Sequence, residues 1–456
     1  MTWWFSFGLG LASCVLALAA RRWPLSGWLA LAPLALAVAR TGVAAGLSGL
    51  VVGAAVTGFA MRHQPAHLPR LGVIGGGVAW GLAATLVGVV AALLDPRAGV
   101  LLVVPCALLA TVTLSRAGAP RWAAAALACT QEPHPFVICM GRQGGELAVT
   151  GLLAWSGAAV AWLVPGPSLW PMGALVSTLV LALVLFRAVR SIRASQRALD
   201  GAPRLRVAAV VVDGPRSADP VDPLWPGRSP AARDVEATLA RYAPHVARAA
   251  AEGAVLVVLP EVAVVLEHEQ ASRTWRDGVR RWAVAHDVTI VAPHLDLAAP
   301  SNTLDVVTPR GELSSHDKQH PAPGIEPAPR ALTGPGAHVL AARRAVSGTP
   351  LSTVICVDLD YADLVGPVRA RRGLLAVPSN DWPGGFERDH DRTSVWAAVL
   401  TETSVIRATG HGLSSMRDGA GRLLARASSL EGPVVLVCDV PVLPDAETSH
   451  PRRDGS

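Results

Sequence analysis

The chain has 456 residues, of which 51% are apolar and only 16% charged, with a mean hydropathy of +0.39. These values exclude a protein that is soluble along its whole length and require a membrane portion. The net charge of +6 is split: residues 1–200 carry 13 Arg against Asp95, Glu132, Glu146 and Asp200, and the remainder carries 27 basic against 30 acidic residues. The basicity therefore sits in the loops of an apolar region, and no basic, aromatic-interleaved face for nucleic acid is formed.

In chain order, stretches of about 20 apolar residues predict membrane-crossing helices. Seven candidates are found, at 2–20, 25–39, 41–61, 71–94, 99–115, 147–164 and 171–189. Trp3, Trp4, Trp23, Trp28, Trp122 and Trp170 lie near their ends, where an amphipathic ring suits the interface. The first stretch lacks a small-residue cleavage site and is read as retained, not as a removed signal peptide. Glycines in "GLGLAS" and "VIGGGVAWG" allow helices to approach closely. Arg21, Arg22, Arg62, Arg70, Arg116, Arg121 and Arg142 follow the first, third and fifth stretches. Taken literally, the positive-inside rule then places the soluble half in the cytoplasm.

The basic stretch 191–203 reads as a linker, residues 204–443 as one domain and 444–456 as a polar tail. Within the domain, apolar β-branched runs alternate with helical patterns: "RLRVAAVVVDG" (204–214), a helix over 232–253, "AVLVVLPE" (254–261) and "VTIVAPHLD" (288–296). A hairpin follows around "PRG" (302–313), then "LSTVICVD" (351–358), "GLLAVPSND" (373–381) and "GPVVLVCDV" (432–440). This is the signature of an α/β sheet domain.

Three element ends bear reactive side chains: Glu261 closes "VVLPE", Lys318 lies in the loop after the hairpin, and Cys356 ends "STVIC". Together they supply a base for a thiol proton, a nucleophile that forms a thioester, and a cation for the oxyanion. Lys318 is the sole lysine beside 39 arginines. A compact ammonium suits a tight oxyanion pocket better than a planar guanidinium fork does. The six cysteines, at 14, 106, 129, 139, 356 and 438, form no CxxC, so neither a disulfide framework nor a zinc site is expected. Cys438 is expected to be a core residue. His316 and His320 flank Lys318 in a Pro-rich stretch and are expected to be solvated, and "LEHEQ" is not the helical HExxH form. No metal and no cofactor is expected.

"LPE", "DKQHPAPGIE", "ICVD" and "SND", in that order, resemble the Glu-Lys-Cys layout of the nitrilase (carbon–nitrogen hydrolase) superfamily. With the apolar half ahead of them, they resemble its apolipoprotein N-acyltransferase branch. "RRWPLSGWLALAPLALA" resembles that family's second span, and "CTQEPHPFVICMGRQGG" the segment before its sixth. "DPLWPG" places Trp225 where the family has a tryptophan, and Glu326 falls where a second carboxylate supports the lysine. His390, Glu402 and "IRATGHG" continue the match. The resemblance implies an αββα sandwich behind a membrane domain of residues 1–190. It implies that Cys356 takes an acyl chain from a membrane phospholipid and passes it to the N-terminal amine of a lipoprotein cysteine. It also implies a bacterial-type cell membrane with the catalytic domain on the extracytoplasmic face. That side is preferred to the one the arginines suggest, because the loops carry little charge overall.

Departures are visible. Val357 and Asp358 replace the family's Tyr-Glu, with Asp358 either supporting the nucleophile or structural; "NDAWFG" is shortened to "NDWPGG"; and a final span is missing. Two other readings stand beside the transferase: a membrane-tethered amidase with the same three residues, and a non-catalytic protein that binds acyl chains or partners.

Overall fold

This computed structural model describes residues 2–20, 23–60, 67–94, 99–116, 126–161, 170–212, 234–297, 301–321, 340–361, 367–369, 372–381 and 386–443. The chain forms two compact units, residues 1–193 and 194–456.

In the first unit, helices α1 (Thr2–Ala19), α2 (Ala32–Thr41), α3 (Ala45–Ala60), α4 (His67–Ala92), α5 (Val103–Arg116) and α6 (Gly141–Ala161) follow the apolar stretches of the sequence. Among the described residues, three stretches are long and apolar enough to cross a membrane: Thr2–Ala19, Leu25–Phe59 and Val73–Ala92. The candidates at 25–39 and 41–61 overlap one 35-residue stretch, Leu25–Phe59, and the one at 99–115 overlaps the shorter Val100–Ser115. Those at 147–164 and 171–189 fall on α6 and on α7 (Trp170–Asp200). Helix α7 runs on through most of the stretch read as a linker, because "RAVRSIRASQRALD" holds no helix breaker.

Glycine sets the α3–α4 contact. A Cβ on Gly53 would collide with the Gly76 carbonyl, and one on Gly76 with that of Gly53. The backbones touch where helices without water between them gain most from van der Waals packing. Buried hydroxyls close the other contacts: Ser6 donates to the Ala44 carbonyl at 2.6 Å, and Ser13 accepts the Leu34 amide at 3.0 Å. Trp28 Nε1 donates to Gln131 Oε1 at 3.1 Å, joining the two segments singled out in the apolar half.

The second unit is built on two sheets. Strands β1 (Arg204–Val211), β2 (Leu256–Val258), β3 (Val265–Leu266), β4 (Thr289–Asp296), β5 (Ser301–Val307), β6 (Leu313–Asp317) and β13 (Val434–Pro441) form the first, in the order β13-β1-β2-β4-β5-β6 with β3 beside β4. Strands β7 (Leu340–Val346), β8 (Thr349–Thr353), β9 (Leu374–Asn380), β10 (Ser404–Gly410), β11 (Leu413–Arg417) and β12 (Leu423–Ser428) form the second, in the order β12-β11-β10-β9-β8-β7. Alternation along the strands gives each sheet two faces. Val207, Ala209, Val258 and Val291 meet Leu351, Ile355, Leu374 and Ile406 between the sheets. On the far face of the first sheet, Ala208, Val210, Val257 and Ile290 pack against Tyr242 of α8 (Val235–Ala251) and Trp275 of α9 (Glu269–His286). Ala397 and Ala398 of α10 (Phe386–Thr401) cover Leu375, Val377 and Val405 of the second. The layering is helix, sheet, sheet, helix, as expected.

Candidate active site

The site lies where the two sheets meet at strand ends. Glu261 is three residues past β2, its amide donating across to the Ser379 carbonyl of β9 at 3.3 Å. The chain then turns sharply, with Val262 at φ +53°. β6 is longer than the sequence suggests, and Lys318 follows it directly, with its amide on the Asn302 carbonyl at 2.8 Å. Alternation from Leu304, which lies between the sheets and pairs with His316, puts His316 and Lys318 on that same inner side.

The Lys318 ammonium donates to Glu261 Oε1 at 2.8 Å, and both side chains are buried. Asn302 Nδ2 donates to the same oxygen at 2.7 Å. Two donors on Oε1 fix the carboxylate's orientation, and among the described residues Oε2 accepts none. Cys356, three residues past β8, opens a 3-10 turn, Cys356–Asp360. Its backbone is left-handed, at φ +51°, a conformation that costs a non-glycine residue on the order of 1–3 kcal/mol and persists where surroundings enforce it. The thiol faces the Asn380 carbonyl at 3.9 Å. Burial pushes the thiol well above its ordinary range; Glu261 pushes it further, Lys318 pulls it down, and Asp381 adds to the rise. The sulfur thus lies within the fields of both partners and is held as a thiol at rest.

Asp358 connects the pieces. Its carboxylate accepts the amides of His320 at 2.7 Å, Gln319 at 3.2 Å and Ile355 at 3.3 Å. It ties the chain just after Lys318 to the turn that presents Cys356. Burial pushes this carboxyl up to about 7, against the pull of Lys318 and of the His320 and Gln319 amides.

Other residues are placed differently from their sequence reading. His316 is buried against Thr353 at 3.3 Å, and burial pushes its imidazole down to about 4. The His320 ring stacks on Tyr361, centroids 3.7 Å apart. Neither is the solvated loop histidine expected, because β6 and the Asp358 clamp draw this segment inward. Cys438 is half-buried at the edge of the inter-sheet core. Glu402 pairs with Arg372 at 3.1 Å, away from the thiol. Trp225, Glu326 and the "WPGG" of the shortened segment lie outside the described residues. Sequence reading missed Asn302, whose only sign was its place at the head of the hairpin, and the buried Asp360, Asp381 and Arg407.

No protein-family profile and no curated protein matches this chain. Among solved structures, the chain is similar to an amidase from Nesterenkonia sp. AN1. A cysteine-substituted form in complex with butyramide is 18% identical, covering 53% of this chain and 94% of that one, with a TM-score of 0.42. A doubly substituted form with acrylamide is 18% identical, covering 55% and 94%, at 0.42. A form with the acetamide moiety of fluoroacetamide added to its active-site cysteine is 20% identical, covering 55% and 96%, at 0.41.

Proposed function

We propose that the protein is a membrane-bound acyltransferase of the nitrilase superfamily, working through a thioester on Cys356. The observation that carries the reading is the buried Glu261–Lys318 pair, 2.8 Å apart, tied through Asp358 to the strained turn that presents the Cys356 thiol. Glu261 takes the thiol proton as sulfur attacks the acyl carbonyl of a phospholipid. Lys318 stabilises the tetrahedral oxyanion. Collapse breaks the ester C–O bond, and the proton leaves with the lysophospholipid alkoxide. An amine, that of a lipoprotein's N-terminal cysteine, then attacks the thioester, gives up its proton to Glu261 and carries off the acyl chain, and that proton returns to the thiolate. The three long apolar stretches of the first half support a donor that lives in the bilayer, and on this reading the first half is a multi-span domain of residues 1–190. Trp225 and Glu326 are assigned here on resemblance alone, as supports of the acyl site and of Lys318. The catalytic half is assigned to the extracytoplasmic face of a bacterial-type membrane.

The test is intact-mass spectrometry of protein purified from membranes, beside Cys356→Ala. A fatty-acyl adduct labile to hydroxylamine and present only in the wild type is the expected result. If no adduct forms with phospholipid, yet small amides turn over and the variant is inert, the protein is a tethered amidase instead. If neither reaction occurs, the catalytic reading fails.

A further inference from the structure

Four ionisable side chains, all buried, lie behind the thiol and are not used in the steps above: Asp360, Asp381, His390 and Arg407. They come from four places in the fold. Asp360 ends the 3-10 turn that Cys356 opens, and Asp381 follows Asn380, whose carbonyl the sulfur faces. His390 is on α10 and Arg407 on β10. His390 Nδ1 lies 2.8 Å from Asp381 Oδ1, and Nε2 lies 3.3 Å from Asp360 Oδ2. Arg407 Nη2 donates to Asp381 Oδ1 at 2.7 Å, and the same guanidinium donates to the Leu413 carbonyl at 2.9 Å.

An imidazole has a single N–H when neutral and one on each nitrogen when protonated. Nδ1 is hydrogen-bonded to Asp381, and the Nε2–Asp360 approach is an ion-pair contact outside hydrogen-bond alignment. Only the imidazolium is attracted to both carboxylates at once. Arg407 Nη2 is also 2.9 Å from His390 Nδ1, since both converge on one Asp381 oxygen. That contact opposes the charge, and the two carboxylates outweigh it. With two anions and two cations the cluster is neutral, which lets it exist without water.

We propose that His390 is a positioning residue for the Cys356 thiol: bridging Asp360 and Asp381, it clamps the nucleophile's turn against the end of β9 and so fixes where the sulfur points. The left-handed backbone at Cys356 needs such enforcement from its surroundings. Among the described residues, the ionisable groups facing His390 include Asp360 from the turn, Asp381 from the end of β9 and Arg407 from β10; beside it on α10, Asp391 is paired with Arg417 of β11 at 2.9 Å. Burial and Arg407 push the imidazole down, and Asp381 and Asp360 push it up and prevail. A group raised in the fold is charged at lower pH and loses its proton as pH climbs through its raised value. The clamp is therefore closed at the lower pH and opens as pH climbs through that raised value.

The inference rests on Cys356 as the reacting group and not on lipid as the donor. The test uses the full chain in detergent and follows iodoacetamide alkylation of Cys356 by peptide mass from about pH 6 to about pH 9. Alkylation needs no acyl donor, so a protein that shows the clamp but never acylates loses only the transfer reading. A free thiol below its ionisation gains about tenfold in rate per pH unit. In the wild type the logarithmic slope should fall below one as the clamp opens. In His390→Gln the slope should be one throughout, with a rate at neutral pH about tenfold lower. Asp360→Asn/His390→Gln, which leaves no stranded carboxylate, should stay folded and keep the low rate and simple slope. A wild-type slope of one across the range overturns the proposal, as does either folded variant alkylating at the wild-type rate with the wild-type bend.

Discussion

At the scale of single residues, the site places Lys318 where charge alone is not enough. Its ammonium shares Glu261 Oε1 with Asn302, and all three side chains are buried. Lys318→Arg keeps the charge but brings a planar fork that this buried setting does not fit. Its kcat should fall by about a hundredfold or more, the scale of a lost oxyanion donor. Lys318→Met strands the Glu261 carboxylate and should cost about 3–5 kcal/mol in urea unfolding as well. Asp358→Asn turns an amide NH₂ toward amides that Asp358 accepts, and so loosens the tie between Lys318 and Cys356. It should lower kcat by about tenfold to a hundredfold with little change in KM. It should also alter stability against pH. The folded Asp358 is raised to about 7, so the wild type loses stability as pH rises from the ordinary carboxylate range toward 7, and the variant lacks that component. Melting temperatures at acidic and neutral pH check this. Glu261, Lys318 and Cys356 could be singled out in the sequence because their residue types are chemically distinctive and each follows the end of a strand. Asn302, and the convergence of His390 with Asp360, Asp381 and Arg407, could not be. A polar side chain at a strand end carries no sign of its partner until the sheets bring both together.

At the scale of elements, β-branched runs and turn residues marked β1, β2, β4, β5, β8, β9 and β13, because apolar runs of strand length are written directly into side-chain type. Strands β3, β7 and β10–β12 went unmarked, being very short or broken by polar residues such as Arg407 and Arg426. The extent of β6 was misjudged: "SSHD" has no apolar alternation, and only pairing with β5 makes it a strand. That error hid the burial of His316. Helix α7 runs on to Asp200 through most of the stretch read as a linker, and the polar residues past its apolar part did not show that it is helical. One turn sets the meeting of β8 and β9. Gly373 has φ +93°, and a Cβ there would strike the Pro350 carbonyl. Gly373→Ala should destabilise the catalytic half by about 2–3 kcal/mol, combining backbone strain with that collision, as seen in the urea midpoint. Gly53→Leu should separate α3 from α4 and reduce the protein recovered folded in detergent, with no change in the chemistry of protein that survives.

At the scale of the whole molecule, composition alone divided the chain into an apolar first half and an α/β second half. With three stretches long and apolar enough to cross a bilayer, the protein should remain in the membrane pellet through an alkaline carbonate wash and enter solution only with detergent. Release by carbonate would remove the bilayer donor from the proposed reaction. Lys318 has a consequence of another kind. It is the sole lysine of the chain, and it is 4% exposed within the sandwich. A protease that cleaves only after lysine therefore has one target, hidden by the fold of the second half. A brief pulse of such an enzyme should leave the native chain whole and cut each opened chain into two fragments, ending at 318 and starting at 319. The fraction cut, followed through a denaturant series, reports the opening of the catalytic sandwich in a crude membrane extract without a label or purification.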